Sequence, residues 1–222
     1  MSYRLNFQSV WKYFDLVKEG IRFTVGISLC AIGIALVLGV FAAAFRTSHV
    51  KFLNRISSVY IELFRNTPLL IQLWLVYFGL AQVGIDISAL VCGVLVLGIN
   101  SGAYMAEIIR AGLNSVDHGI IEAAVSLGFS PKQLLVKIKI PLAIRSVLPS
   151  IGNNVVQCML ASSLLSNLGV NELTNQAMRL SSKTFRTFES YIVVGIFYIA
   201  LTFVYSFAIK LIEKWISKGS LH

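Results

Sequence analysis

The sequence predicts an all-α integral membrane protein: five transmembrane helices in a single domain, residues 1–222. Hydrophobic residues make up 56% of the chain and charged residues only 13%, whereas a soluble domain carries about a quarter charged residues. The mean hydropathy is +0.77. Five separate runs contain no Asp, Glu, Lys or Arg, and each reaches the length of about 20 residues that crosses a bilayer. The alternative, a soluble all-α protein, does not need five such runs for one core.

The uncharged runs set the predicted spans. They are Phe23–Phe45, Asn66–Ile85, Ile87–Ala106, Ser146–Asn171 and Ser190–Ile209. With their flanking residues they predict transmembrane helices at about 21–46, 56–83, 86–112, 142–166 and 188–212. The polar segment at about 115–141 is then a long loop between the third and fourth spans. No internal repeat is evident, which argues against the secondary carriers that are built from inverted repeats.

The segment before the first span has two interpretations. Val10, Phe14, Val17 and Ile21 recur at helical spacing, and Trp11 adds an aromatic ring of the kind found at membrane interfaces. These residues predict a short amphipathic helix on the outer membrane surface, or equally an extension of the first span. We expect no cleavable signal peptide, because the first apolar run is too long for a signal sequence.

The net charge of +9 could suggest nucleic-acid binding, but the distribution of the charged residues along the chain indicates an orientation in the membrane instead. If the 115–141 loop lies inside, the inner segments hold 12 of the 19 Lys and Arg residues and the outer segments hold 7. The positive-inside rule then predicts an external N-terminus and a cytoplasmic C-terminus.

The sequence offers little support for an enzyme. Cys30, Cys92 and Cys158 all lie in apolar spans, where cysteine is usually a packing residue. No Cys/His metal spacing, Ser/His/Asp arrangement or Walker-type phosphate loop is visible. We therefore expect this chain to bind no cofactor of its own and to hydrolyse no ATP by that route.

The sequence of the 115–141 loop predicts a helical hairpin. Residues 118–127 are predicted to form a helix that ends at Gly128, because glycine adopts the left-handed C-cap conformation without a steric penalty. Ser130, Pro131 and Gln133 have the spacing of a capping box that starts a second helix. We expect Pro141 to end this helix before the next span.

One surface of the hairpin suits a partner. Ala123 and Ala124 are short, so a partner can approach the backbone closely, and Glu122 offers a charge at the edge of the contact. An ordinary amphipathic loop helix would explain the apolar stripe and the caps, but not the full spacing of residues from Glu122 to Pro141.

That spacing resembles the Glu-Ala-Ala motif of the inner-membrane subunits of ATP-binding-cassette (ABC) importers. The matching residues are Glu122, Ala123, Ala124, Gly128, Ile138 and Pro141. Other segments are similar to permeases for polar amino acids, and the match covers most of residues 20–211. These segments are Glu62–Leu73, Tyr77–Leu80, Gly102–Gly112, Gly169–Thr174 and Arg186–Tyr191.

The resemblance implies a type I ABC importer permease fold in a bacterial inner membrane. It implies ABC ATPase subunits that carry ATP and Mg, an external solute-binding protein, an amino-acid substrate, and a second permease copy or a related permease. The residues it assigns to ATPase coupling are Glu122, Ala123, Ala124, Gly128, Ser130 and Pro131. A non-transporting scaffold or sensor subunit is the alternative, and an ion-gradient carrier or channel is a weaker one.

The fourth span is unusually polar for a lipid-facing helix. Uncharged polar groups at membrane depth either bridge helices or line a wet path, and we predict a substrate path. Its residues are Asn153, Asn154, Gln157, Ser162, Ser163 and, beyond the span, Glu172. Permeases of this kind often carry a charged cluster here, and Leu160–Ser163 replaces it. Glu62 with Arg65, and Glu107 with Arg110, have the spacing of local ion pairs.

Overall fold

The computed structural model describes residues 4–218, which form helices and, within that range, no β-strand. The α-helices are α1 Gln8–Trp11, α2 Phe14–Arg46, α3 Lys51–Arg65, α4 Leu69–Gln82, α5 Ala89–Asn114, α6 His118–Ser126, α7 Pro131–Gln133, α8 Ile140–Ala161, α9 Leu173–Thr184 and α10 Thr187–Lys218. A π-helical turn, Leu134–Lys139, joins α7 to α8, and a 3-10 helix, Ser162–Leu168, follows α8. In the described range three helices, α2, α5 and α10, are long and apolar enough to cross a membrane.

Helices α2 and α5 run parallel at the centre of the bundle. Small residues let them approach closely: a Cβ atom added to Gly98 would lie 2.7 Å from the Cβ of Ile34, and one on Gly39 would lie 2.6 Å from Met105. The core around this contact comprises Ile27, Ala31, Leu73, Cys92, Val96, Leu97, Cys158, Leu165 and Val170. Cys92 and Cys158 are therefore packing residues, whereas Cys30 is exposed.

The second crossing is broken, which corrects the prediction of one uninterrupted helix over 56–83. Helix α3 runs antiparallel to α2, and the hydroxyl of Ser57 donates to the carbonyl of Ala42. Helix α4 begins only after Pro68 and continues toward the far side of the bundle. Pro68 has no N–H for the carbonyl of Phe64, four residues earlier. The side chains of Gln72 and Asn100 donate to that carbonyl instead, each at 2.9 Å. The backbone carbonyl of Phe64 is therefore hydrogen-bonded despite the break in the helix.

The fourth crossing starts without a stop, so the expectation that Pro141 ends a helix is wrong. The chain passes from the π-helical turn into α8 with helical dihedral angles at Lys139. Pro141 lies in the first turn of α8, directly after the π-helical turn, and the chain stays helical there. Helix α7, the π-helical turn and α8 therefore form one continuous helix that ends at residue 161.

The N-terminal segment packs against α9 and α10 at the end of the bundle opposite to α6 and α7. Phe14, Val17 and Ile21 belong to α2, as an extension of the first span predicts, whereas Val10 lies in the separate short helix α1. Val10 and Val17 are buried against Leu173 and Leu180. We call this end, with the α4–α5 loop at residues 83–88, the far end, and the α6–α7 end the hairpin end.

Candidate functional site: an exposed hairpin and a polar cavity

The first helix of the hairpin is capped at both ends. At its start, Oδ1 of Asp117 accepts the backbone N–H groups of Gly119 at 2.8 Å and Ile120 at 3.3 Å. At its end, Gly128 has φ +80°, and the N–H of Phe129 donates to the carbonyl of Ala124 at 3.1 Å, as in a Schellman motif. The glycine cap was predicted from the sequence, whereas the Asp117 cap was not, although an Asp directly before a helix is a strong start signal.

The second helix begins with the predicted capping box. The N–H of Gln133 donates to Oγ of Ser130 at 3.4 Å, and the N–H of Ser130 donates to Oε1 of Gln133 at 2.9 Å. Pro131 occupies the first turn. Local hydrogen bonds therefore fix both turns of the hairpin.

The hairpin presents most of its predicted contact residues to solvent. Glu122, Ala123, Gly128, Ser130 and Pro131 are exposed, whereas Ala124 is only 5% exposed and faces inward. The prediction that Ala124 offers its small side chain to a partner is therefore wrong. Apolar side chains also lie open on this surface, and they are Ile120, Val125, Leu127, Leu135 and Val136. Several exposed apolar side chains beside exposed polar ones suit a surface that contacts a partner.

A polar cavity of about 460 Å³ lies between α5 and α8. Its lining consists of Asn100, Ser101, Tyr104, Ile108, Ser150, Asn153, Asn154, Gln157, Cys158 and Ala161. The structure thus brings together three of the predicted path residues, Asn153, Asn154 and Gln157. None of the lining residues is Asp, Glu, Lys or Arg, so the wall of the cavity is uncharged and combines amide and hydroxyl groups with apolar side chains.

The α5 side of this cavity was missed by the sequence analysis. Asn100 and Ser101 lie in an otherwise apolar run, and this could have identified them, because polar residues within a membrane span often have a function. Tyr104 and Ser150 carried no comparable signal. The Nδ2 of Asn154 donates to the carbonyl of Ser101 at 3.4 Å and joins the two walls.

Three predicted path residues do not line the cavity. Ser162 is fully buried, and its hydroxyl donates to the carbonyl of Met159 at 2.7 Å. Ser163 lies in the same 3-10 helix, where its carbonyl accepts from Ser166. These contacts are within the chain and give the two serines a role in the local fold.

Glu172 is the N-cap of α9 and is also fully buried. Its carboxylate accepts the N–H of Asn175 at 2.7 Å, the N–H of Thr174 at 2.8 Å and the hydroxyl of Tyr198 at 2.7 Å. Burial raises the pKa of Glu172, and these hydrogen bonds act in the opposite direction. The described contacts make Glu172 a cap of α9 and place it outside the cavity.

One of the two predicted local ion pairs forms. Glu107 and Arg110 are joined by two hydrogen bonds on α5. The pair predicted between Glu62 and Arg65 is absent from the described part of the chain, because the Arg65 guanidinium lies over the ring of Tyr104, 5.3 Å from its centroid.

The chain belongs to the family described as binding-protein-dependent transport system inner membrane component, whose family model matches residues 35–218. It is a permease subunit of an ABC importer for amino acids, a multi-pass protein of the inner membrane with the type I permease fold. It is not itself an enzyme, since in this family the ATPase is a separate subunit.

Two relatives illustrate the likeness along the whole chain. The probable glutamine ABC transporter permease protein GlnM of Bacillus subtilis is 35% identical over 97% of this chain and 100% of the relative. The glutamine transport system permease protein GlnP of Escherichia coli K12 is 33% identical over 95% of this chain and 97% of the relative.

Solved structures agree with these relatives. A crystal structure of an amino acid ABC transporter with histidines matches with a TM-score of 0.91 and 40% identity, over 96% of this chain and 99% of that one. An inward-facing MetNI methionine ABC transporter matches with a TM-score of 0.69 and 21% identity, over 96% and 99%, and supports the fold alone.

Proposed function

We propose that the cavity between α5 and α8 is the solute path of the importer and that it takes polar amino acids with uncharged side chains. The observation that carries this proposal is the lining itself: amide and hydroxyl groups set among apolar side chains, and no charged group, around about 460 Å³. Amide groups both donate and accept, so Asn153, Asn154 and Gln157 can bond an ammonium, a carboxylate or a side-chain amide. The glutamine permeases among the relatives fit this class of solute.

The hairpin is the second part of the proposal: α6 and α7 dock on the partner ATPase, with Glu122, Ala123, Gly128, Ser130 and Pro131 at the contact. What supports this is an exposed surface with apolar side chains on two locally capped helices. ATP and Mg bind to the ATPase. Because the hairpin continues into α8, movement at the hairpin reaches the cavity wall through a helix without a stop.

A second permease copy, or a related permease, completes the path. Gln157 and Asn153 line the cavity and are exposed, which means that this chain alone leaves the cavity open on one side. The N-terminus lies outside and the hairpin faces the cytoplasm, in keeping with the 12 to 7 distribution of Lys and Arg. An external solute-binding protein delivers the solute to the far end.

Transport follows from two states of this assembly. ATP closes the ATPase pair, the two hairpins move as rigid levers, and the cavity exchanges its inward opening for an outward one. The ligand-dependent bias arises because ATP and the solute-binding protein bind one state better than the other.

Glu122→Lys in reconstituted proteoliposomes tests the proposal. The charge reversal lies on the exposed hairpin, so the chain should insert normally while ATP-dependent uptake falls at least tenfold, about the effect of 1.4 kcal/mol. Asp86→Lys is the matched control, an exposed acid in the loop at the far end, and should keep the wild-type amount of co-purifying ATPase, which Glu122→Lys should reduce.

Uptake at the normal rate by the Glu122→Lys variant would contradict the lever role of the hairpin. A wild-type complex that binds the ATPase but carries no amino acid would favour a scaffold or sensor subunit instead.

A further inference from the structure

Arg65 stands at the break in the second crossing, beside the cavity. It is the last residue of α3, and its carbonyl accepts the hydroxyl of Tyr104 at 3.3 Å. Its guanidinium lies over the same ring at 5.3 Å from the centroid. Tyr104 lines the cavity and lies ten residues before Asn114, the end of α5, which is about 15 Å along the helix. Arg65 is therefore held near the middle of the bundle.

The guanidinium of Arg65 forms no ion pair at contact distance with a carboxylate among residues 4–218. The ion pairs in this range are Lys18–Asp15, Arg110–Glu107 and Arg186–Glu189. Nearby Glu107 attracts Arg65 electrostatically, but both of its carboxylate oxygens accept from Arg110. Arg65 is exposed, and within the described residues its guanidinium makes no hydrogen bond, so its N–H donors can bind a ligand that carries negative charge.

We propose that Arg65 binds the α-carboxylate of the solute at the edge of the cavity. This inference rests on the proposed function, since it needs an amino acid in the path. The lining provides no cation for the carboxylate that every amino acid carries. A guanidinium offers the fork of N–H donors that matches a carboxylate, and its stacking on Tyr104 limits the freedom it loses on binding.

The charged Arg65 and the uncharged cavity wall then have different tasks. Arg65 recognises the group common to all amino acids, and the uncharged wall of Asn100, Asn154 and Gln157 faces the part that differs between them. The break at Pro68 contributes as well, because it ends α3 at Arg65.

The test measures binding of L-glutamine and its α-amide to the purified permease–ATPase complex by calorimetry. The solute-binding protein is omitted, so its selectivity does not enter. We expect the wild type to bind L-glutamine at least tenfold more tightly than the α-amide. Arg65→Gln should weaken L-glutamine binding at least tenfold, about 1.4 kcal/mol, and leave the α-amide unchanged. Arg65→Lys keeps the charge without the fork and should be intermediate.

Arg55→Gln is the matched control, since Arg55 is also exposed on α3 but lies toward the hairpin end with Phe52, Ile56 and Val59. It should bind both compounds like the wild type. The inference is overturned if Arg65→Gln keeps its preference for the carboxylate, or if it weakens both compounds equally.

Subunit stoichiometry of each variant is measured by native mass spectrometry. An Arg65→Gln complex that dissociates into single permease chains would show that Arg65 pairs across a subunit contact, which also overturns the inference. A wild-type complex that binds none of the twenty amino acids would instead overturn the proposed function.

Discussion

Glu172 shows how a single residue can carry a local pH dependence. Because burial raises its pKa, the folded chain holds the carboxyl proton more tightly than the unfolded chain does. Its stabilising contribution is therefore complete below the pKa of the unfolded chain and is lost as the pH rises through the raised pKa. The melting temperature in detergent should fall over that range, and Glu172→Gln, which is neutral throughout, should show a shallower fall. Parallel curves for the two proteins would contradict this.

Gly128 allows a second test at the level of one residue, because the effect of its backbone conformation can be distinguished from the effect of a steric clash. It has φ +80°, and a Cβ there would meet no atom within 4 Å, so a side chain costs conformational strain and not a clash. Gly128→Val should strain the turn by about 1–2 kcal/mol or more and reduce the ATPase that co-purifies with the permease.

Gly84 provides the matched control, with φ +79° and equally open space, but in the loop at the far end. Gly84→Val should strain its own turn and leave ATPase binding intact. Equal losses in the two variants would mean that general instability, and not the hairpin, explains the effect.

At the scale of an element, the broken second crossing depends on two amide side chains. Nε2 of Gln72 donates to the carbonyls of Phe64 and Thr67, and its Oε1 accepts from Asn100 at 3.0 Å. Gln72→Leu removes these bonds around a 7% exposed side chain, and it should cost about 1–3 kcal/mol of folding free energy.

Gln82→Leu is the comparison for this prediction, since Gln82 is exposed at the end of the same helix and its change should stay within about 0.5 kcal/mol. Denaturant unfolding in detergent measures both variants. Equal stability of the two variants would show that the Gln72 network does not hold the break.

At the scale of the whole molecule, the open cavity makes a prediction about assembly. A pull-down in mild detergent should recover permease and ATPase chains in a 1:1 ratio, with either one kind of permease or two related ones. One kind means a homodimer with two equal sets of cavity residues, and a second kind means a heterodimer. A complex with a single permease chain would contradict the shared path.

Local chemistry explains which parts of the hairpin were predictable. The glycine turn and the capping box at Ser130 depend on residues a few positions apart, and the structure has both as predicted. The direction of Ala124 and the continuation past Pro141 depend on how the helices pack, and both predictions were wrong.

The sequence by itself determined the membrane class, the fold family, the capped hairpin and the polar character of α8, because hydropathy, caps and motif spacing act over short stretches of chain. Only the tertiary structure decided that Asn100 and Tyr104 share a cavity with Gln157, that Glu172 is a buried cap, and that Arg65 turns from Glu62 to Tyr104. The reason is that these contacts join helices far apart in sequence, and periodicity along one helix does not specify what the neighbouring helix presents to it.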